Sequence, residues 1–400
     1  MEELVNFDMP RQQPTIIKVM GVGGGGGNAV NHMYSEGIRD VSYVIANTDR
    51  QALDASPIPE KLQLGPKTTR GLGVGNKPDV ARQAAEESRE DIRKALGDTT
   101  RMVFITAGMG GGTGTGASPV IASIAREMDI LTVGIVTIPF AWEGEQKINQ
   151  ALDGVDAIKD QVDALLVINN ELLSQVYPDL TVMNGFRKAD DTLCVAARSI
   201  AEIITVPGYI NLDFADVNTI LKDGGVAVMC AGEGEGSTRV SKAMNNALHS
   251  PLLNSNDVYQ ARKILFNISC SREHEIQLSE MDQIRDFMSQ FEGRLEQVIW
   301  GLSIDDSLGE RLKVTMLASG FSMGNDPVFR QRYQEQSEAD LAQVEQNRVR
   351  RDSQVRSFYG KGGVPPRRII CTPYVLSEQQ MDDEELIERL NVEPACQRTK

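Results

Sequence analysis

Short apolar runs alternate with amphipathic segments along the first 200 residues. Runs such as Met102–Thr106 and Leu131–Ile138 are rich in β-branched and other apolar residues, which is typical of strands buried on both faces. The segments between them carry apolar residues three and four positions apart, which is the period of a helix. We therefore predict an α/β fold with a doubly wound, mostly parallel sheet. Ligands of such folds bind at the carboxyl ends of the strands.

A longer amphipathic segment runs from about Met183 to Val206 and is followed by Pro207 and Gly208. It predicts a long central helix between two domains. Later apolar runs predict a second, smaller α/β domain with strands at Lys263–Cys270, Gln297–Ser303 and Leu312–Ser319. The predicted division is a disordered N-terminus (1–14), a first domain that holds the ligand (15–182), the central helix (183–208), a C-terminal α/β domain (209–322), a flexible linker (323–377) and a C-terminal peptide (378–400).

Three glycine-rich stretches each stand before a predicted helix. Gly21–Asn28 follows a predicted strand, Gly71–Gly75 precedes a helix predicted over Asp79–Leu96, and Gly108–Gly116 precedes a helix predicted from Pro119. Loops without side chains expose backbone amides that can surround an oxyanion. No lysine follows the last glycine, so this is not a Walker A loop. The pattern predicts a cradle for several phosphates.

A dinucleotide-dependent oxidoreductase is the alternative at this point. The glycines Gly21, Gly23 and Gly26 satisfy GxGxxG, and Asp49 follows the next predicted strand, where an acid could bind a ribose. A dinucleotide-binding fold uses fewer glycine-rich loops than the three predicted here. No residue that could transfer a proton in such an enzyme is evident. The alternative is weakened but stays open.

Composition narrows the class of partner. A net charge of −15 and a pI near 4.8 disfavour nucleic-acid binding, which needs a basic surface. No apolar run has the length of a membrane span, and Met1–Val5 lacks a signal pattern. The five cysteines lack CxxC spacing, so neither a disulfide framework nor a protein metal site is predicted. We expect a cytoplasmic protein without direct membrane insertion.

Recognition of a base is predicted on the central helix. Phe186 and Asp190 are four residues apart and share a helical face, so a ring could stack on a base while the carboxylate accepts its edge N–H groups. Guanine offers two adjacent donors on that edge, whereas adenine offers an acceptor. The spacing alone fits equally a core phenylalanine beside a surface aspartate.

An acidic stretch follows the central helix. Asn211, Asp213 and Asp216 could polarise a water or bind a cation. The alternative is N-capping of a helix predicted over Phe214–Asp223. Since capping is expected to occupy only one of the two carboxylates, we favour the chemical role.

The string Gly110–Gly116 resembles the signature of the tubulin/FtsZ superfamily of polymerising GTPases, and Asn211–Val217 is similar to the synergy loop of its FtsZ branch. The resemblance covers residues from about 15 to 320, with five loops in the expected order. It implies hydrolysis of GTP to GDP and phosphate, with Mg²⁺, coupled to head-to-tail polymerisation into filaments of the midcell division ring. It also implies that Asn211, Asp213 and Asp216 complete the catalytic site of a neighbouring subunit.

The same resemblance implies which residues contact the nucleotide. Glu143 matches the loop that contacts the ribose or phosphate region, and Lys147 stands where the family commonly has arginine, so it lacks the two-pronged guanidinium. The implied nucleotide-binding residues are Gly23, Gly24, Gly25, Asn28, Asn47, Gly73, Gly110, Gly111, Gly112, Thr113, Gly114, Thr115, Gly116, Glu143, Lys147, Phe186 and Asp190.

The C-terminal peptide combines acidic residues with three apolar ones, Leu386, Ile387 and Leu390. We predict that it folds on a partner through these anchors, and a solvated acidic tail is the alternative. The resemblance implies membrane-tethering and regulatory proteins of the division site as partners. A non-hydrolysing scaffold that binds GTP is a third function class, which the intact stretch Asn211–Asp216 disfavours.

Overall fold

A computed structural model of the chain describes residues 15–321, apart from residues 39, 207, 249–260, 289, 290 and 292–294. The predicted N-terminal segment (1–14), linker (323–377) and C-terminal peptide (378–400) lie outside the described residues. In the described part of the chain, no helix has both the length and the apolar character that a membrane crossing needs.

Seven parallel strands form the first sheet, which confirms the predicted α/β fold. Their order across the sheet is 3-2-1-4-5-6-8. The long apolar runs form its centre because both of their faces are covered. The strands are β1 (Ile17–Val22), β2 (Val41–Asn47), β3 (Glu60–Gln63), β4 (Met102–Gly108), β5 (Leu131–Ile138), β6 (Ala164–Asn169) and β8 (Gly225–Val226).

Helices cover both faces of this sheet. Successive residues of β4 alternate between two cores: Phe104 packs in one and Ile105 in the other. This alternation is the period of two that a doubly wound sheet requires. The helices are α1 (Gly23–Glu36), α2 (Arg50–Ala55), α3 (Pro66–Thr69), α4 (Pro78–Glu87), α5 (Arg89–Leu96), α6 (Gly112–Glu127), α7 (Glu145–Lys159) and α8 (Asn170–Val176).

Two of the predicted glycine loops are largely helical, which corrects the sequence prediction. Helix α1 begins at Gly23, and α6 begins at Gly112 rather than near Pro119. Each glycine lowers helix propensity by about 1 kcal/mol relative to alanine. Close packing against neighbouring backbone, described below, explains why tertiary structure overrides that preference.

The prediction of a single helix over Asp79–Leu96 is also wrong. The structure has two helices there, α4 and α5, which are divided at Ser88. The backbone of Ser88 leaves the helical region (φ −95°, ψ 15°). Its hydroxyl accepts a hydrogen bond from Gly65 N at 2.8 Å. This contact with a distant segment is not visible in local periodicity.

The predicted central helix is present as α9 (Val182–Thr205). Its buried stripe includes Leu193 and Ile200, which belong to one core together with Leu265 and Leu317 of the second sheet. A single hydrophobic core therefore joins both sheets through α9, and the helix cannot shift without disturbing the packing of either sheet.

The second sheet contains five strands in the order 7-11-10-12-9. Strands 10 and 11 are parallel and the other neighbours are antiparallel. The three strands predicted late in the chain are confirmed, whereas strand 9 was not predicted. The remaining elements are β7 (Gly208–Ile210), α10 (Phe214–Leu221), β9 (Val228–Gly234), α11 (Arg239–Leu248), β10 (Lys263–Cys270), α12 (Met281–Met288), β11 (Gln297–Ile304) and β12 (Leu312–Ser319).

Candidate functional site

The starts of α1 and α6 lie side by side at the carboxyl ends of β1 and β4. A Cβ atom placed on Gly23 would lie 2.8 Å from Gly114 N, and one on Gly25 would lie 3.3 Å from Gly108 Cα. Neither helix has a side-chain cap or an acidic residue in its first turn. Two helix N-termini with uncapped amides therefore converge, which suits a polyanion.

Several glycines of this site are required by packing. A Cβ on Gly26 would lie 2.2 Å from Thr106 O, and one on Gly116 would lie 2.0 Å from Pro78 O. A Cβ on Gly112 would lie 2.9 Å from Lys77 N. Any side chain at these positions would force backbone segments apart. These three glycines let α1 and α6 begin close to the sheet and to α4.

Gly24 and Gly111, at the two helix starts, face open space, as does Gly27 further along α1. A Cβ on Gly24 or Gly111 would meet no atom within 4 Å. Neither packing nor a positive φ requires glycine at these two positions, so the absence of a side chain leaves space in which a ligand can approach the backbone closely. Gly24 and Gly111 therefore leave the two helix starts open.

The threonines of the glycine-rich turn stabilise its shape. Thr115 Oγ1 accepts a hydrogen bond from Gly110 N at 2.9 Å, so that amide is engaged within the turn. Thr113 Oγ1 and Thr48 Oγ1 lie 2.7 Å apart and are hydrogen-bonded. Thr113 thus connects two neighbouring loops, whereas Thr115 closes its own turn, and the amide of Gly110 is not free in this conformation.

The third glycine-rich segment, residues 70–76, has an unusual backbone. Five of its seven residues have positive φ, including the non-glycine residues Arg70 (53°) and Asn76 (60°). Gly73 N donates to Thr48 O at 3.2 Å, which holds this loop against the end of β2. At the same strand end, the buried Asn47 accepts from Asp49 N at 3.2 Å. Asn47 and Gly73 therefore lie beside the two helix starts.

Phe186 belongs to a cluster of three aromatic rings. Its ring packs edge-on against Phe140 at 5.5 Å and against Trp142 at 6.1 Å between centroids. Phe186 is 39% exposed and Trp142 is 61% exposed. A half-open aromatic surface next to the loop after β5 is suited to stacking on a planar base.

Asp190 lies one helical turn beyond Phe186, near α1. His32 of α1 forms a 2.8 Å contact from Nε2 to Asp191 Oδ1, which joins α1 to α9 beside Asp190. Burial raises the pKa of the Asp190 carboxyl to about 6, with the neighbouring Asp191 adding to the rise and His32 opposing it. Asn28, one turn before His32 on α1, is exposed between this region and the helix start. The candidate base and phosphate residues are therefore connected through α1.

Glu143 and Lys147 bond to each other. Glu143 Oε1 accepts from Phe140 N at 2.9 Å, and Oε2 pairs with Lys147 Nζ. The Glu143 side chain is only 7% exposed. In this arrangement Glu143 fixes the turn that carries Trp142, so any contact of Glu143 or Lys147 with a nucleotide stays a prediction.

The acidic stretch after α9 forms a reciprocal cap on α10. Asp213 Oδ1 accepts from Asp216 N, and Asp216 Oδ2 accepts from Asp213 N, both at 3.0 Å. Asn211 Oδ1 accepts from Gly208 N at 2.6 Å. The expectation that capping would occupy only one aspartate is wrong, because a capping box engages both. Each carboxylate retains its other oxygen, and Asp213 is exposed.

The base site and the acidic stretch lie at opposite ends of α9. Phe186 is in the first turns of this helix, whereas Asp213 follows its last residue, Thr205. At a rise of 1.5 Å per residue, the helix separates Phe186 from Thr205 by about 28 Å. The structure therefore brings the glycine-rich and aromatic residues together and keeps Asn211, Asp213 and Asp216 apart from them.

Some residues of the site were not predicted from the sequence. Gln150 of α7 donates hydrogen bonds into the glycine-rich turn, and Thr48 contacts Thr113 across the sheet edge. Trp142 and His32 complete the aromatic and acidic clusters. For Trp142, its place between Phe140 and Glu143 was an available signal. For the others, the contacts join distant segments.

Comparisons with known proteins identify relatives of the whole described region. A family model described as "Tubulin/FtsZ family, GTPase domain" matches residues 16–178, and one described as "FtsZ family, C-terminal domain" matches residues 225–322. The chain is 48% identical to the cell division protein FtsZ of Porphyromonas gingivalis, across 100% of this chain and 89% of that protein.

Further relatives are also FtsZ proteins. The chain is 45% identical to the cell division protein FtsZ of Coxiella burnetii, over 76% of this chain and 78% of that protein. Among solved structures, an empty FtsZ dimer from M. jannaschii is 36% identical and covers 78% of this chain and 90% of its own, with a TM-score of 0.70.

Proposed function

The chain belongs to the FtsZ family, whose members share a tubulin-like GTPase fold, and from this premise we propose that it binds and hydrolyses GTP and polymerises head-to-tail. The filaments would form the division ring at midcell, in the cytoplasm. The observation that carries the proposal is the length of α9. It separates Phe186 by about 28 Å from Thr205, the last helical residue before the acidic stretch, so the proposed base site and the acidic stretch lie at opposite ends of the helix.

A site divided in this way requires a heterologous contact. The acidic stretch of one subunit must meet the glycine-rich surface of the next, and repetition of such a contact without closure gives an open filament. Asp213 and Asp216 each keep one carboxylate oxygen outside the capping box, so the cap orients both groups and leaves acceptors for a water. These carboxylates would position and activate the attacking water on the neighbour's nucleotide.

The phosphates would lie at the starts of α1 and α6. Backbone amides there are fixed before the ligand arrives, so they stabilise charge without reorganisation, which is the main requirement of phosphoryl transfer. The open positions Gly24 and Gly111 support this placement. Phe186 would stack on guanine, and Asp190 would accept hydrogen bonds from its edge.

Magnesium is expected to accompany the nucleotide. No group of three or more His, Cys, Asp or Glu side chains within residues described here is arranged to hold a metal ion. Mg²⁺ commonly binds through substrate phosphates with few protein ligands, and the converging helix starts would hold such a complex through its phosphates. The ion would supply charge neutralisation for phosphoryl transfer.

The dinucleotide alternative is disfavoured by the family match. Asp49, the acid that would bind the ribose in this alternative, instead caps α2 by accepting a hydrogen bond from Gln51 N at 2.9 Å. A competition experiment with GTP, ATP and NAD tests the proposal, followed by measurement of phosphate release. We expect GTP to bind most tightly and to be hydrolysed. Preference for NAD, or bound GTP without phosphate release, would contradict the proposed activity.

The C-terminal peptide is proposed to recruit division-site partners through Leu386, Ile387 and Leu390. Deletion of residues 378–400 should leave GTP hydrolysis and filament formation intact, since the proposed shared site lies within residues 15–321. Light scattering and phosphate release check this expectation. A truncated chain that cannot assemble would show that the peptide belongs to the polymer contact.

A further inference from the structure

Gln150 connects two glycine-rich segments to α7. Its side-chain Nε2 lies 3.1 Å from Gly110 O, 3.0 Å from Gly111 O and 3.2 Å from Asn76 Oδ1. The first two acceptors belong to the turn before α6, and the third belongs to the loop of residues 70–76. One amide group thus joins the turn before α6 and the loop of residues 70–76 to α7.

The two N–H groups of Nε2 serve three acceptors, so at least one N–H is shared, and the contacts with the carbonyls of Gly110 and Gly111 orient the backbone of the turn. In a planar trans peptide, the N–H of the next residue points opposite to the carbonyl. Because both carbonyls point towards Gln150, the N–H groups of Gly111 and Gly112 point away from α7. Gly111 borders open space on its Cβ side. The side chain of Gln150 therefore determines where these two amides are directed.

The hydrogen bond to Asn76 acts on the neighbouring loop. Asn76 has a φ of 60°, in the left-handed region that asparagine tolerates at a moderate cost. A Cβ on Gly112 would lie 3.1 Å from Asn76 Cα, so the two loops are in contact. Fixing the Asn76 side chain to Gln150 keeps this loop against the start of α6.

We propose that Gln150 is a positioning residue for the phosphates of the nucleotide, which it serves by orienting the amides of Gly111 and Gly112 and by fixing Asn76. The proposal rests on the proposed GTP site. It adds the prediction that Gln150 affects the affinity for a guanine compound only through the phosphates of that compound. Guanine recognition through Phe186 and Asp190 involves other elements and does not need Gln150.

Competition binding of GTP, GDP and guanosine to the full chain tests this proposal. Gln150→Leu removes the donor and shortens the side chain by one atom, while keeping similar bulk and helix propensity. Gln150→Glu replaces the donor by a carboxylate next to three acceptor oxygens. Gln146→Leu is the matched control, since Gln146 is exposed on the same helix and its side chain makes no hydrogen bond to any described residue.

Both Gln150 variants should bind GTP and GDP about tenfold more weakly than the parent, whereas guanosine affinity should stay within about twofold. Gln146→Leu should match the parent for all three ligands. Equal weakening of guanosine and GTP, parental GTP affinity in both variants, or the same loss in Gln146→Leu would each overturn the proposal. So would unfolding of both Gln150 variants at the assay temperature. If the parent itself bound no guanine compound, the proposed function would fail before the variants were compared.

Discussion

Asp190 is a carboxylate in a position where burial disfavours charge. Its pKa is raised to about 6 by burial, while the neighbouring Asp191, Lys188 and His32 provide charges of both signs around it. In the ligand-free chain, the stability that Asp190 contributes is present below its ordinary pKa near 4 and is lost as the pH rises through 6. Binding of guanine has the opposite dependence, because its two donors require the ionised form.

We predict that GTP affinity falls about tenfold between pH 7 and pH 5, in proportion to the ionised fraction of Asp190. The Asp190→Asn variant keeps an acceptor that does not titrate, so its affinity should be nearly constant over this range. Isothermal calorimetry at several pH values checks both profiles. An equally steep profile in Asp190→Asn would contradict the assignment of the pH dependence to Asp190.

Asp213 has a structural role that must be separated from its proposed chemical one. Removal of an N-cap costs about 0.5–2 kcal/mol, whereas asparagine caps a helix as well as aspartate does. Asp213→Asn should therefore keep the free energy of unfolding and the GTP affinity of the parent while losing most of its hydrolysis.

Denaturant unfolding, calorimetry and phosphate release measure these three properties of Asp213→Asn. Asp213→Ala is the comparison, since it should lose both stability and hydrolysis. If Asp213→Asn hydrolyses GTP at the parental rate, the carboxylate is only a helix cap.

At the residue scale, the sequence indicated which side chains share an element but not which distant segments contact each other. Phe186 and Asp190 lie on one helical face because a spacing of four requires it. The bond from Gln150 to Asn76 joins residues 74 positions apart, and the bond from Thr48 to Thr113 joins residues 65 apart. No local pattern encodes such contacts, because they depend on how the loops pack.

At the scale of elements, the glycines at the helix starts are of two kinds: some are needed for close packing of the backbone, and others face open space. Gly116 lies against Pro78 of α4, whereas Gly24 faces open space. We predict that Gly116→Ala destabilises the fold by about 1–3 kcal/mol, because α4 and α6 must separate. Gly24→Ala should fold at least as stably as the parent, since alanine favours the helix, but should bind GTP more weakly.

Gly27→Ala is the control for these variants. It adds the same methyl group in open space, further from the helix start. Its stability should rise or stay equal, and its GTP affinity should be unchanged. Thermal unfolding and GTP titration of the three variants test the assignment. Parental GTP affinity in Gly24→Ala would show that phosphates do not approach α1 at this position.

Strands were easier to predict than the starts of helices. Strands β5, β10 and β12 are rich in β-branched and other apolar residues, a composition that is typical of buried strands. Strand β9 was missed because it contains Gly232 and Gly234, which weaken a strand pattern. A Cβ on Gly234 would lie 2.0 Å from Arg239 O, so these glycines admit the close approach of α11. Packing between β9 and α11 therefore explains why these two positions are glycine.

At the scale of the molecule, α9 determines how the two proposed half-sites are related. Its buried stripe joins both sheets in one core, so its two ends stay a fixed distance apart. The long helix and its position between two domains followed from periodicity. The engagement of both carboxylates in a capping box did not follow from it, because a helix cap and a catalytic pair of aspartates have the same sequence pattern.

The central claim is that the active site forms only between subunits. The most direct test measures phosphate release per molecule as the protein is diluted, with light scattering recorded on the same samples. We predict that specific activity falls steeply below the concentration at which filaments are detected, because the cradle then lacks the neighbour's Asp213 and Asp216. Specific activity that stays constant well below that concentration would contradict a shared site.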